Sequence, residues 1–191
     1  MNQNVMIVGV GGQGSLLASK MLGHVVMQAG YDVKVSEVHG MSQRGGSVVT
    51  YVRYSDETVW SPVINEGEAD IIISFELLEA ARWVGFLKKG GTLVVNDQKI
   101  APMPVIMGNA QYPEDIAEKL RELGVNLKIF DSLHLAEEGG SAKAANVVLM
   151  GAVANAMDFP EEMWQKALEE CVPPKFLELN RKAFALGRAQ K

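Results

Sequence analysis

Apolar and polar positions change rhythm along this chain, and the changes mark its elements. Residues 5–10 (Val-Met-Ile-Val-Gly-Val) form an unbroken apolar run, as a strand buried on both faces does. In residues 13–29, Leu17, Met21, Val25 and Ala29 recur at helical spacing, with Gly30 as the stop. Alternation returns in residues 32–38 at Val33 and Val35, predicting a second strand parallel to the first after a right-handed crossover. Residues 39–46 are polar and too short for another helix. Residues 47–54 and 58–63 read as two strands around Ser55-Asp56-Glu57, an inserted antiparallel hairpin.

A short buried strand is predicted at residues 70–74, then a helix through Leu87, the stop Gly90-Gly91 and a strand at 92–96. Residues 101–108 form a surface connection, Pro113 opens a helix to Leu123, and residues 126–131 make the last strand. Helical patterning then fills 142–157, 161–171 and 175–187, punctuated by Asp158-Phe159-Pro160 and Pro173-Pro174. Strand–helix alternation of this kind predicts one three-layer α/β domain over residues 1–191, Rossmann-like, with a mostly parallel sheet. The inserted hairpin and a helical segment at 140–191, packed on the domain, are its departures from the plain form.

Composition narrows the function classes. With 48% hydrophobic residues among 191, the chain can bury a full core without disulfides or a metal. A formal net charge of −5 gives no nucleic-acid footprint. The basic doublet Lys88-Lys89 reads as solvating a helix end. The single cysteine, Cys171, cannot by itself hold a zinc or iron–sulfur site. No basic and apolar leader opens the sequence, and no run approaches the ~20 apolar residues of a membrane span. A cytoplasmic protein with no membrane and no nucleic-acid partner is the expectation.

Candidate chemistry gathers in two places. Gly9, Gly11 and Gly14 stand at the G-x-G-x-x-G spacing directly after the first strand, with Gly12, Gln13 and Ser15 among them. Glycine permits the tight turn, lets backbone approach a phosphate, and allows the helix to pack closely; the helix N-terminus faces an anion with a positive dipole end. The turn is open to two readings, a phosphate cradle or close helix–strand packing. Glu37, at the end of the second strand, is either an acceptor for a ribose hydroxyl or a solvated carboxylate. The second constellation is His39-Gly40-Met41-Ser42-Gln43-Arg44-Gly45-Gly46, expected on the same carboxyl edge of the sheet. There Arg44 offers a planar fork to a carboxylate or phosphate, Ser42 and Gln43 offer neutral donors, and Gly45 and Gly46 permit close approach. The histidines His24, His39 and His134 are scattered and predict no metal site. No nucleophile elbow, zinc motif, Walker loop or thiamine-binding Gly-Asp-Gly is present.

Together, Val-Gly-Val-Gly-Gly-Gln-Gly at 8–14 and Gln-Arg-Gly-Gly at 43–46 resemble the gamma domain of 2-oxoacid:ferredoxin oxidoreductases. Ser61-Pro62, Ala69-Asp70, Asn146-Val-Val-Leu-Met-Gly-Ala152 and Asn180-Arg-Lys-Ala-Phe-Ala-Leu-Gly187 follow in the family's order, so the resemblance spans essentially the whole chain. Within the family, residues 37–46 look most like the beta subunit of the indolepyruvate branch. The resemblance implies oxidative decarboxylation of an aryl 2-oxoacid to an acyl-CoA. It places thiamine diphosphate, its magnesium and the iron–sulfur clusters on a larger alpha subunit, which passes electrons to ferredoxin. It also implies that this chain is inactive alone and that Gly9, Gly11, Gly12, Gln13 and Gly14, with Ser42, Gln43, Arg44, Gly45, Gly46 and Asn146, contact coenzyme A phosphates or else only build the scaffold. Branches acting on pyruvate, 2-oxoisovalerate or 2-oxoglutarate are the alternatives. A different class is an adenylating module of the ubiquitin-activating type, whose glycine turn is nearly the same, though its paired cysteines and its Asp-Asn are missing here. A third is a nucleotide-sensing or assembly module with no part in catalysis.

Overall fold

The structure, a computed structural model, describes residues 2–40 and 45–190. Its centre is a six-stranded sheet made of β1 (Asn2–Val10), β2 (Asp32–His39), β3 (Ser47–Ser55), β4 (Ala69–Ser74), β5 (Leu87–Asn96) and β6 (Asn126–Phe130). The strands lie in the order β2-β3-β1-β4-β5-β6. β1–β4, β4–β5 and β5–β6 pair in parallel, whereas β3 runs against both β1 and β2. Five strands therefore share one direction, and the sheet is mostly parallel as expected.

Helices cover both faces. Even residues of β1 (Met6, Val8) and Ile72 of β4 point to α2 (Leu77–Trp83) and α4 (Ile116–Glu122) through Leu77, Ala80, Ile116 and Leu120. Odd residues (Val5, Ile7, Ile71, Ile73) face α1 (Ser15–Gln28), α5 (Ser132–Gly139) and α6 (Ala145–Ala154). A short turn of helix, α3 (Met103–Ile106), lies in the connection after β5. α7 (Glu161–Cys171) and α8 (Leu177–Arg188) pack outside α1 and α6, so the C-terminal segment thickens one layer.

That second helical cover explains why residues 146–154 are all buried: α6 is apolar all round because sheet, α1 and α8 surround it. α6 and α8 touch at two glycines. A Cβ on Gly151 would stand 2.1 Å from the Phe184 carbonyl oxygen, and one on Gly187 1.9 Å from that of Val148. The two segments that carry the resemblance in this half are one helix crossing.

Several expectations are corrected. β2 is parallel to β1 in direction but is not its neighbour, since β3 intervenes. The hairpin is β2–β3, not residues 47–54 with 58–63, because residues 58–63 form no strand. That segment is instead pinned in irregular form: Val59 N–H donates to Asp32 at 2.7 Å and Arg53 donates to the Val63 carbonyl at 3.3 Å, while Ile64 plugs the core. The helix after β4 ends at Trp83, followed by one 3-10 turn, and β5 begins at Leu87. Lys88 thus lies in a strand and pairs with Asp70 instead of solvating a helix end. α4 starts at Ile116, three residues past Pro113, and α5 is an unpredicted helix.

Candidate functional site at the carboxyl edge of the sheet

The carboxyl ends of β1, β2, β4 and β5 lie on one edge, and β3, running the other way, begins there. Both glycine-bearing segments therefore meet. The contact is direct: Gly11 N–H donates to the Gly46 carbonyl at 2.9 Å. Gly45 and Gly46 reach this edge as expected. Met41, Ser42, Gln43 and Arg44 lie outside the described residues.

The glycine turn is demanding. Gly14, the residue before α1, has φ 90, and a Cβ there would stand 2.4 Å from Asn146 Nδ2. Gly12 also has positive φ (103), with open space around it. Asn146 is nine-tenths buried and donates weakly to the Gly14 carbonyl at 3.4 Å, fixing α6 against the turn. Gly9 leaves room for Gln13: a Cβ there would meet Gln13 Oε1 at 2.9 Å. The Gln13 carboxamide is spent inside the protein. Its oxygen accepts from Val10 N–H at 2.7 Å, and its nitrogen donates to the Phe75 carbonyl at 2.9 Å and to Gln98 Oε1 at 3.1 Å. It ties the ends of β1, β4 and β5 together.

Helix α1 leads from β1 on one face of the sheet, and α2 leads from β4 on the other. Since β1 and β4 are parallel neighbours, the crevice between their ends is a topological switch point, where ligands of open α/β sheets bind. An open cleft of about 410 Å³ lies there, walled by Gly12–Gly14, Phe75, Asn96, Gln98, Lys143 and Asn146. On the other side of the turn is a second open cleft, of about 440 Å³, walled by Gly11, Gly12, Gly14, Ser15, Glu37 and His39. Glu37 is exposed there and accepts from the Ser15 hydroxyl at 3.3 Å and the Thr50 hydroxyl at 3.2 Å. His39 lines the same cleft and shares the strand face of Glu37.

A third hollow, of about 320 Å³, touches Gly45, Gly46, Ser47, Glu76, Glu79 and the loop bearing α3. Glu76 is almost wholly buried and caps α2, accepting from Glu79 N–H at 2.9 Å, from Ile100 N–H at 3.1 Å and from the Tyr112 hydroxyl. Burial, with the Glu76 carboxylate beside it, pushes the Tyr112 phenol above its ordinary range. Glu79 accepts from Ser47 at 2.5 Å and pairs with Arg82 at 3.2 Å. These carboxylates are fully partnered, so they brace the edge and offer no reactive base. Gln98, Lys143, Glu76 and Tyr112 are the edge residues that sequence reasoning missed. Gln98 and Glu76, each two residues past a predicted strand end, carried a positional signal.

Among the described residues no group of three or more His, Cys, Asp or Glu could hold a metal ion, and no helix is long and apolar enough to cross a membrane. The donor sets present are backbone amides, carboxamides and single charges. They suit binding of a polar ligand and supply no metal-ligand set.

Comparison with known proteins places the fold and the family. Residues 4–190 match the family model for pyruvate ferredoxin/flavodoxin oxidoreductase. The chain is 46% identical to the indolepyruvate oxidoreductase subunit IorB of Thermococcus kodakarensis over 96% of this chain and 93% of that one. Its fold resembles the gamma subunit of a keto/oxoacid ferredoxin oxidoreductase from Geobacter sulfurreducens, with TM-score 0.71, 25% identity and coverage of 97% and 95% of the two chains. It also resembles part of a 2-oxoglutarate:ferredoxin oxidoreductase from Magnetococcus marinus, with TM-score 0.72 and 18% identity, where it spans 99% of this chain but only 31% of that one. The fold is thus found both as a separate chain and as a portion of a much longer one, and by its family match this chain belongs to the pyruvate ferredoxin/flavodoxin oxidoreductase family.

Proposed function

We propose that this chain is the beta subunit of a hetero-oligomeric indolepyruvate:ferredoxin oxidoreductase, inactive alone and completed by a larger alpha subunit. The observation that carries the reading is the 46% identity to a subunit of that name over nearly the full length of both chains. Thiamine diphosphate with its magnesium and the iron–sulfur clusters belong, on this reading, to the larger subunit, where they supply decarboxylation and electron transfer to ferredoxin. One cysteine in this chain is in keeping with that division.

The role left to this chain is to bind and orient. Coenzyme A, when bound, supplies the thiol that accepts the acyl group. The carboxyl edge fits its phosphates on one side of the glycine turn, where donors and a lysine line the wall, and is less suited on the other, where Glu37 stands. Gly12 lets backbone come close to such a ligand, while Gln13 and Asn146 hold the turn in shape. Arg44 adds a guanidinium for coenzyme A, the substrate carboxylate or a partner carboxylate.

Purification of the native complex tests the assignment. A larger, brown, thiamine-containing partner is expected, with indolepyruvate turned over faster than pyruvate, 2-oxoisovalerate or 2-oxoglutarate. A colourless preparation, or preference for one of the other acids, would defeat it. Arg44→Ala should lower turnover of the complex and leave the fold of this subunit intact.

A further inference from the structure

The two edges of the sheet are finished differently. β6 is blunted: it has five residues, with Lys128 at its centre. β2 is eight residues long and contains no proline or glycine. It pairs with β3 without a bulge, from Asp32 opposite Ser55 to His39 opposite Val48. Along its outer side the backbone N–H and C=O groups have no backbone partner among the described residues. Its one lysine, Lys34, pairs with Asp32 of the same strand at 3.2 Å instead of standing as a lone charge on the edge.

Apolar side chains stand on both faces of this edge. Val35 shares the face of Val52 and is 46% exposed, whereas Val38 shares the face of Val49 and is 52% exposed. The bond from Val59 N–H to the Asp32 carboxylate sets Trp60 beside the first residue of β2. That indole is 91% exposed, and Val63 is exposed three residues on. A long, regular, open edge flanked by valines and a bare tryptophan is a template for strand pairing, and folded chains that carry one keep it covered.

A second copy of this chain is a poor match. A two-fold axis perpendicular to the sheet sets residues of the same face opposite one another. Lys34 and Glu37 lie on opposite faces, so two copies cannot set them together. The registers centred on Val35 or Ser36, which overlap all but one residue, put Glu37 against Val33 or Val35. Neither pairs opposite charges. A different chain is free of that restriction.

We propose that β2 takes a further strand from the larger subunit, an extended segment with aliphatic residues opposite Val33 and Val35 and a cation opposite Glu37. Backbone hydrogen bonds along the edge supply affinity, the alternating side chains fix the register, and Trp60 is the anchor at one end. The inference rests on the reading of this chain as one subunit of a larger enzyme.

The test is hydrogen–deuterium exchange on the full chain, free and assembled with the larger subunit, beside affinity measurements on surface variants. Residues 32–39 and 58–63 should gain protection on assembly. Trp60→Ala and Val35→Lys, both at exposed positions, should each weaken assembly roughly tenfold or more while the circular dichroism of the chain is unchanged. Leu123→Lys, at an exposed apolar position by the end of α4, should bind within about twofold of the parent. A complex that forms without protecting residues 32–39, or that both edge variants join like the parent, would overturn the pairing and keep the subunit reading. An isolated chain that sediments as a dimer, and as a monomer after Val35→Lys, would give the edge to a second copy and overturn the pairing too. A chain that joins no larger subunit would overturn both readings at once.

Discussion

Glycines mark two regions of this molecule, and comparing them separates packing from binding. At the α6–α8 crossing, Gly151 and Gly187 face backbone of the opposite helix, and a Cβ would enter a carbonyl oxygen that cannot turn aside. At the turn after β1, Gly12 faces open space and Gly14 faces a side-chain amide, and both hold positive φ. The crossing is buried core, while the turn stands between two open clefts at the switch point of the sheet. Both regions carry the family resemblance, yet only one offers donors to a ligand. A motif can identify lineage through packing alone, and surrounding geometry must decide which motif binds.

The comparison breaks first, if it is wrong, at Gly151→Ala. Helices α6 and α8 would have to separate, costing on the order of 3 kcal/mol and lowering Tm by roughly 6–12 °C, while turnover per folded complex should be unchanged. Thermal melts beside turnover measurements decide it. Gly14→Ala should cost about 2 kcal/mol, from left-handed backbone and the Asn146 contact, and should lower turnover as well. A turnover loss no larger than that of Gly151→Ala would make the turn a packing device too.

Gln13→Ala leaves the Val10 N–H without its side-chain acceptor, strips the Phe75 carbonyl of one of its two carboxamide donors and unties three strand ends, so about 1–2 kcal/mol in denaturant titration is expected. Glu37→Gln is the smallest change. Its partners are hydroxyls that can donate to an amide oxygen equally well, so stability should move within about 0.5 kcal/mol.

How far the sequence carried the argument depends on the range of the interaction that fixes each part. β1, the turn and α1 are legible because apolar run, glycine spacing and helical period are local and agree. The placement of β3 between β1 and β2 is not, since a strand's neighbours are chosen by the whole sheet; Val33 and Val35 would alternate the same way beside either strand. Residues 58–63 (Thr-Val-Trp-Ser-Pro-Val) are apolar and β-branched enough to suggest a strand yet are held by side-chain bonds from Asp32 and Arg53, which no local pattern reports. α5 is capped by Asp131, which accepts from His134 N–H at 2.9 Å, a signal present in the sequence but attached to only eight residues. Of the site, Gly11 and Gly46 could be placed on one edge from topology alone. Gln98 and Lys143 could not, because forty-five positions separate them and only the crevice between sheet and α6 brings them to the same cleft.

The most direct measurement is viologen reduction by indolepyruvate and coenzyme A, with the larger subunit assayed in the presence and absence of this chain. Activity that appears only when the chain is added, and falls in the Gly14→Ala complex more than in the Gly151→Ala complex per folded protein, is the predicted result. Full turnover by the larger subunit alone would contradict the account.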